Sequence, residues 1–181
     1  MRAMPLTVTA LTAALLLTAC NGGGGGGGGG SKSKQASGGS DSSACKVGGV
    51  SLQVGSASVA PSVGDTGEVP VSITNQSAPC TLDGFANVDL RQDGVSDLVD
   101  HQAGAKPQKL KLNKGDSASF TISYVRGKTG DKLSLDAQKM LISLPGSTAT
   151  QTFPWKYGSI AGKGQAANLK AGVSAFQQVG D

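Results

Sequence analysis

The chain has 181 residues, with 16 Lys plus Arg against 12 Asp plus Glu, a net charge of +4, one histidine and only 4% aromatic residues. A balance this mildly basic, with no dense Lys/Arg stripe interleaved with aromatics, excludes a nucleic-acid surface from the leading readings. The length suits one folded domain with a real core.

Residues 1–19 have the layout of a secretory signal peptide: a cation at Arg2, an apolar run from Leu6 to Leu17, then small residues. The run is too short to span a bilayer, which takes about 20 apolar residues. Its end, Leu17-Thr18-Ala19-Cys20, resembles the lipobox of bacterial lipoproteins. That resemblance implies cleavage before Cys20, a diacylglycerol on its thiol and an acyl group such as palmitate on the new amine. At about 0.8 kcal/mol per buried methylene, two or more chains anchor a protein stably where one is marginal. The expected location is the extracytoplasmic face of the cell membrane. The competing reading is an ordinary secreted protein in which Cys20 is incidental.

Residues 20–44 join this cysteine to a linker of Gly, Ser, Lys and Gln, including nine consecutive glycines from Gly22 to Gly30. Nothing in it buries enough apolar surface to offset the entropy of ordering. A glycine-rich coil of this length spans roughly 25–30 Å. A phosphate-cradling loop would need a strand before it and a helix after it, and neither is present.

From Cys45 to Asp181 the pattern is period two. Val69, Val71 and Ile73 share one face, with Glu68, Ser72 and Thr74 on the other. Ala118, Phe120, Ile122 and Tyr124 alternate with serines and a threonine from Ser117 to Ser123. Weaker strands are expected over Leu52–Val59, Ala86–Leu90, Lys109–Leu112, Leu133–Leu135, Met140–Leu144 and Ala149–Phe153. Turn residues separate them at Gly64-Asp65, Asn75 to Pro79, Asp93-Gly94, Asn113 to Asp116, Gly127 to Asp131 and Pro145-Gly146. Short strands at this spacing predict an all-β fold, an antiparallel two-sheet immunoglobulin-like sandwich over 45–181. Pro70 inside a strand marks an edge or a bulge. Beyond about residue 158 the pattern weakens, with Val173–Val179 read as a last strand and Ala166–Ala171 as a short helical turn or loop.

With Cys20 assigned to lipid, Cys45 and Cys80 remain in an exported chain, and a disulfide is the default. Cys45 precedes the first strand and Cys80 follows the second, so an antiparallel pairing of those strands brings the two together. A two-thiol metal site lacks further ligands, since His101 is the only histidine; no metal and no cofactor is expected.

Cys45, Ile73-Thr74-Asn75, the run Pro79-Cys80-Thr81-Leu82-Asp83-Gly84-Phe85, and Val88 and Leu90 together resemble the domain of unknown function 4232 family of exported proteins and lipoproteins of actinobacteria. Leu112-Asn113-Lys114-Gly115-Asp116 is similar to that family's turn, with Lys114 where proline is usual. The resemblance runs from about Cys45 to Pro145 and implies an immunoglobulin-like sandwich closed by the Cys45–Cys80 bridge. It implies no activity.

Three groups of residues carry chemistry worth weighing. Asp97, Asp100 and His101 offer two carboxylates and an imidazole to a metal or a hydrolytic reaction, against a plain charged loop facing water. Lys109 and Lys111 share one strand face opposite Leu110 and Leu112; they solubilise an edge strand, or attract anionic wall polymer. Trp155 and Tyr157 sit in an aromatic run that caps one end of the core or stacks on a sugar or protein partner. No nucleophile-elbow motif supports serine catalysis. The expectation is a non-enzymatic, lipid-anchored binding domain for an envelope protein or wall polymer, with a metal-handling protein or hydrolase and an inert envelope spacer as rivals.

Overall fold

The computed structural model describes residues 43–162 and 169–180. The expectations for the signal peptide, for Cys20 and for the linker up to residue 42 lie outside them. Among the described residues thirteen strands follow in chain order: β1 Val50–Val54, β2 Thr66–Asn75, β3 Cys80–Gly84, β4 Asn87–Gln92, β5 Val95–Leu98, β6 Gln108–Leu112, β7 Ser117–Val125, β8 Ser134–Leu135, β9 Lys139–Ser143, β10 Thr150–Pro154, β11 Ile160–Ala161, β12 Ala171–Val173 and β13 Gln177–Val179. One sheet runs β1-β2-β7-β12, with β13 also on β7, and the other runs β10-β9-β4-β5; two-stranded ribbons β11-β8 and β3-β6 complete an all-β sandwich.

The two cleanest alternations in the sequence form its spine. β2 and β7 pair antiparallel from Thr66↔Val125 to Thr74↔Ser117. Val69, Val71, Ile73, Ala118, Phe120, Ile122 and Tyr124 face inward and are essentially fully buried. Val88, Leu90, Met140 and Ile142 meet them from the second sheet in one continuous core. Each large aliphatic side chain buried this way contributes about 1.5–3 kcal/mol.

Pro70 lies in β2, which has neighbours on both sides, so it is a bulge residue and not an edge residue. Gly55 N–H donates to its carbonyl at 2.8 Å, and proline has no N–H to return. Beyond it Ser58 and Glu68 exchange bonds of 2.9 and 2.8 Å, so Gly55 to Ser58 takes one residue more than Pro70 to Glu68. The strand expected over Leu52–Val59 is therefore broken at this bulge.

Other expectations need correction. Asp97 is not in a water-facing loop: it belongs to β5 and is only 4% exposed. Cys80 opens β3, and Cys45 N–H donates to Thr81 O while Thr81 N–H donates to Ser43 O, both at 3.0 Å. Backbone pairing thus already involves Ser43, two residues before Cys45. The disulfide itself is formed, with Cα atoms 4.9 Å apart. The Val173–Val179 strand is two pieces, because Val173 and Phe176 are both fully buried, three residues apart, which period two forbids. Ser174 bridges the break by donating its N–H to Thr121 O while its Oγ accepts from Thr121 N–H, each at 2.9 Å. The helical turn expected over Ala166–Ala171 lies outside the described residues up to 168, and Ala171 opens β12.

The spine gives the domain two distinguishable ends. Ser43 to Cys45, Asn75 and the start of β7 share one; Thr66 and Val125 mark the other. Ten residues of β2 place these ends about 30 Å apart.

Candidate functional site

The far end is built from three loops. Gly64, at φ +93°, closes a turn in which Ser62 N–H donates to Asp65 Oδ2 at 3.0 Å. That turn is tied to the loop after β7 by Gly64 N–H to Arg126 O and Arg126 N–H to Asp65 O, both 2.8 Å. The loop then folds on itself: Leu133 N–H donates to Asp131 Oδ1 at 2.8 Å, and Ser134 N–H to Asp131 O at 3.1 Å. Gly162 N–H donates to Leu133 O at 2.8 Å and Lys170 N–H to Ala161 O at 2.7 Å, bringing in the third loop. Gly127 permits this approach, since a Cβ there would lie 2.8 Å from the Ile160 carbonyl carbon.

Between these loops lies an open cleft of about 610 Å³ lined by Val63, Arg126, Lys128, Asp131, Leu133 and Lys170, among others. Val63 is 63% exposed and Leu133 75% exposed. Single exposed aliphatics are ordinary, whereas here two stand beside one cleft with three cations. The alternation of Leu133 and Leu135 predicts both inward. Leu135 is buried, whereas Leu133 belongs to the Asp131 turn and is not part of β8.

The aromatic run caps this same end. Tyr124 hydroxyl donates to Tyr157 O at 2.7 Å and accepts from Ala60 N–H at 3.3 Å. Trp155 meets Tyr124 edge-on at 5.2 Å and Tyr157 at 4.9 Å, and its Nε1–H donates to Gly158 O at 2.7 Å. Trp155 is 5% exposed, so its ring is committed to the core; Tyr157 is half-buried. Burial, and then the neighbouring Tyr124, raise the Tyr157 pKa above its ordinary 10.0. Arg126 links the aromatics to the cleft: its Nη1–H donates to Ala60 O at 2.6 Å, and its guanidinium lies against Gly158.

The remaining sequence candidates lie elsewhere. Lys109 and Lys111 are exposed on β6, and Lys109 reaches Asp83 at only 3.8 Å with both side chains mostly in water. Asp97 is buried while Asp100 and His101 are exposed. The His101 ring stacks on Phe85 with centroids 3.9 Å apart and planes 14° apart. Among the described residues, no three His, Cys, Asp or Glu side chains gather into a set able to hold a metal ion.

A family model described as "Domain of unknown function (DUF4232)" matches residues 45–177. No curated protein matches the chain.

Proposed function

The chain belongs to the domain of unknown function 4232 family, and from that premise we propose that it is a non-enzymatic binding domain, lipid-anchored through Cys20 to the extracytoplasmic face of the membrane. Its partner is an envelope component, and the far-end cleft is the surface that recognises it. One observation carries this reading: Val63 and Leu133 stand exposed beside Lys128 and Lys170 at the end of the sandwich remote from where the chain comes in at Ser43. A domain tethered at one end presents the other to its surroundings. The lysines of β6 are the alternative surface; the cleft beside Lys109 is lined by Ala44, Thr81, Asp83, Pro145 and Gly146 and holds no exposed large aliphatic side chain to supply contact energy.

The full chain, wild type or carrying Val63→Asp with Leu133→Asp, is expressed in its own envelope, solubilised and recovered with whatever it holds. The wild type is expected to retain a component that the variant loses at equal surface abundance. Identical recovery from both would remove the far end from consideration.

A further inference from the structure

The far-end cleft combines an aliphatic wall with a cationic rim, and the main-chain N–H groups around it are largely taken. The N–H groups of Gly64, Val125, Arg126, Gly127, Asp131, Ser134, Gly162 and Lys170 all donate to backbone carbonyls, and that of Leu133 donates to Asp131 Oδ1. An extended peptide laid here would find few N–H donors for its own carbonyls, at a cost for each one buried. A hydrocarbon chain has no such requirement. Val63 and Leu133 offer it the aliphatic contact, and about 610 Å³ falls within the roughly 300–1,000 Å³ range of small-molecule sites.

The rim selects the head group. Lys128 and Lys170 are exposed, and among the described residues neither is held in an ion pair. Carboxylates of the same loops accept main-chain donors: Asp65 from Ser62 N–H, Asp131 from Leu133 N–H and Asp136 from Gly130 N–H. Arg126 has its Nη1–H on Ala60 O, so among the described lining residues Lys128 and Lys170 are the exposed cations, and with Arg126 they set three positive charges against the one carboxylate of Asp131. We propose that this cleft binds an anionic amphiphile, its single aliphatic chain against Val63 and Leu133 and its carboxylate or phosphate head between Lys128 and Lys170. The proposal rests on the far end being the binding surface and adds the chemical class of its ligand.

The test uses the full chain with Cys20→Ser, so that no acyl group of its own competes. Sodium dodecanoate, dodecyl phosphate and dodecyltrimethylammonium are titrated below their micelle concentrations, followed by heat and by the fluorescence of Trp155, the single tryptophan. Either anionic probe is expected to bind at least about tenfold more tightly than the cationic one, because its head meets two lysines in place of being repelled by them. A preference between the two anionic probes separates a fatty-acid carboxylate from a phosphate head group and supports the proposal in either direction. Leu133→Asp, and separately Lys128→Glu with Lys170→Glu, are expected to weaken anionic binding by about tenfold or more, whereas Lys109→Glu with Lys111→Glu leaves it unchanged. All of these positions are exposed, so the variants retain the fold.

Equal affinity for cationic and anionic probes would overturn the proposal, as would wild-type binding by Leu133→Asp or the absence of binding altogether. If no probe binds while recovery of an envelope component still depends on Val63 and Leu133, the ligand class is wrong and the binding surface stands. If that dependence is also absent, both readings fall.

Discussion

Replacing Asn75 by alanine tests how the turn between β2 and β3 is held. Asn75 is fully buried, and its amide has no unused hydrogen-bonding capacity. Nδ2 donates to Ala78 O and to Leu112 O, each at 3.0 Å, while Oδ1 accepts from Ser77 N–H at 3.0 Å and Ser77 Oγ at 3.1 Å. One side chain therefore ties the end of β2 to the β3 turn and to the end of β6. Each neutral bond contributes about 0.5–1.5 kcal/mol net, and each buried group left without a partner costs about 1–3 kcal/mol. Asn75→Ala removes all four bonds, leaves the Leu112 carbonyl only its ladder partner on β3 and loosens the turn, for an expected loss of about 3–5 kcal/mol. That is a large share of a typical total of about 5–15 kcal/mol.

The assay is urea unfolding of the oxidised protein, with unchanged m-value as the check on two-state behaviour. Asn75→Asp sharpens it, because a carboxylate would face two carbonyl oxygens where an amide now donates. Burial and those oxygens raise its folded pKa above the unfolded value of about 3.9. Stability conferred by the protonated form is then present below that unfolded value and lost as pH rises through the folded one. This variant should gain stability relative to wild type between about pH 7 and about pH 4. A cost below about 1 kcal/mol for the alanine variant, or no pH difference for the aspartate, would refute the reasoning.

Gly67→Ala should destabilise by about 2–4 kcal/mol in the same assay, since its Cβ would lie 2.5 Å from the Tyr124 ring, which is pinned by its hydroxyl bonds; an effect under about 0.5 kcal/mol would show that the ring yields freely. Cys45→Ala with Cys80→Ala opens a loop of sequence separation 35 and is expected to cost about 3–4 kcal/mol in the loop-closure picture, measured against the oxidised wild type. For Tyr157, whose pKa is raised by burial and by Tyr124, the stabilising protonated form is retained below about pH 10 and lost as pH climbs through the folded value. Wild type should lose stability on that rise more steeply than Tyr157→Phe, and absorbance titration at 295 nm should place this phenol above its ordinary 10.0.

Legibility in the sequence followed how much of each strand was one-sided. β2 and β7 have one apolar and one polar face and were readable at sight. β5 was not, because Asp97 occupies an inward position and interrupts the apolar rhythm. An inward charge on an edge strand discourages further strand addition, so what hid the strand has a structural use. β3 was hidden by the turn residues on either side of it, and the division of the Val173–Val179 strand into β12 and β13 by the shift of parity between Val173 and Phe176. The disulfide was legible from cysteine count and strand order alone. The cleft was not, since Val63, Leu133 and Lys170 come from three distant loops whose turn residues announce only that the chain reverses. Of the two readings that the aromatic run allows, the burial of Trp155 matches the end cap, yet nothing in the run indicates that Arg126 connects that cap to exposed aliphatic surface.

Recognition through the far end is tested most directly by a photo-crosslinking side chain placed in the full chain in its native envelope, at Leu133 in one strain and at Lys111 in another. Both positions are exposed; Leu133 is in the cleft, whereas Lys111 is on β6. Far-end recognition predicts a discrete adduct from position 133, diminished by Lys128→Glu with Lys170→Glu, and none from position 111. An adduct from 111 with none from 133 would contradict it and make the β6 lysines the binding surface.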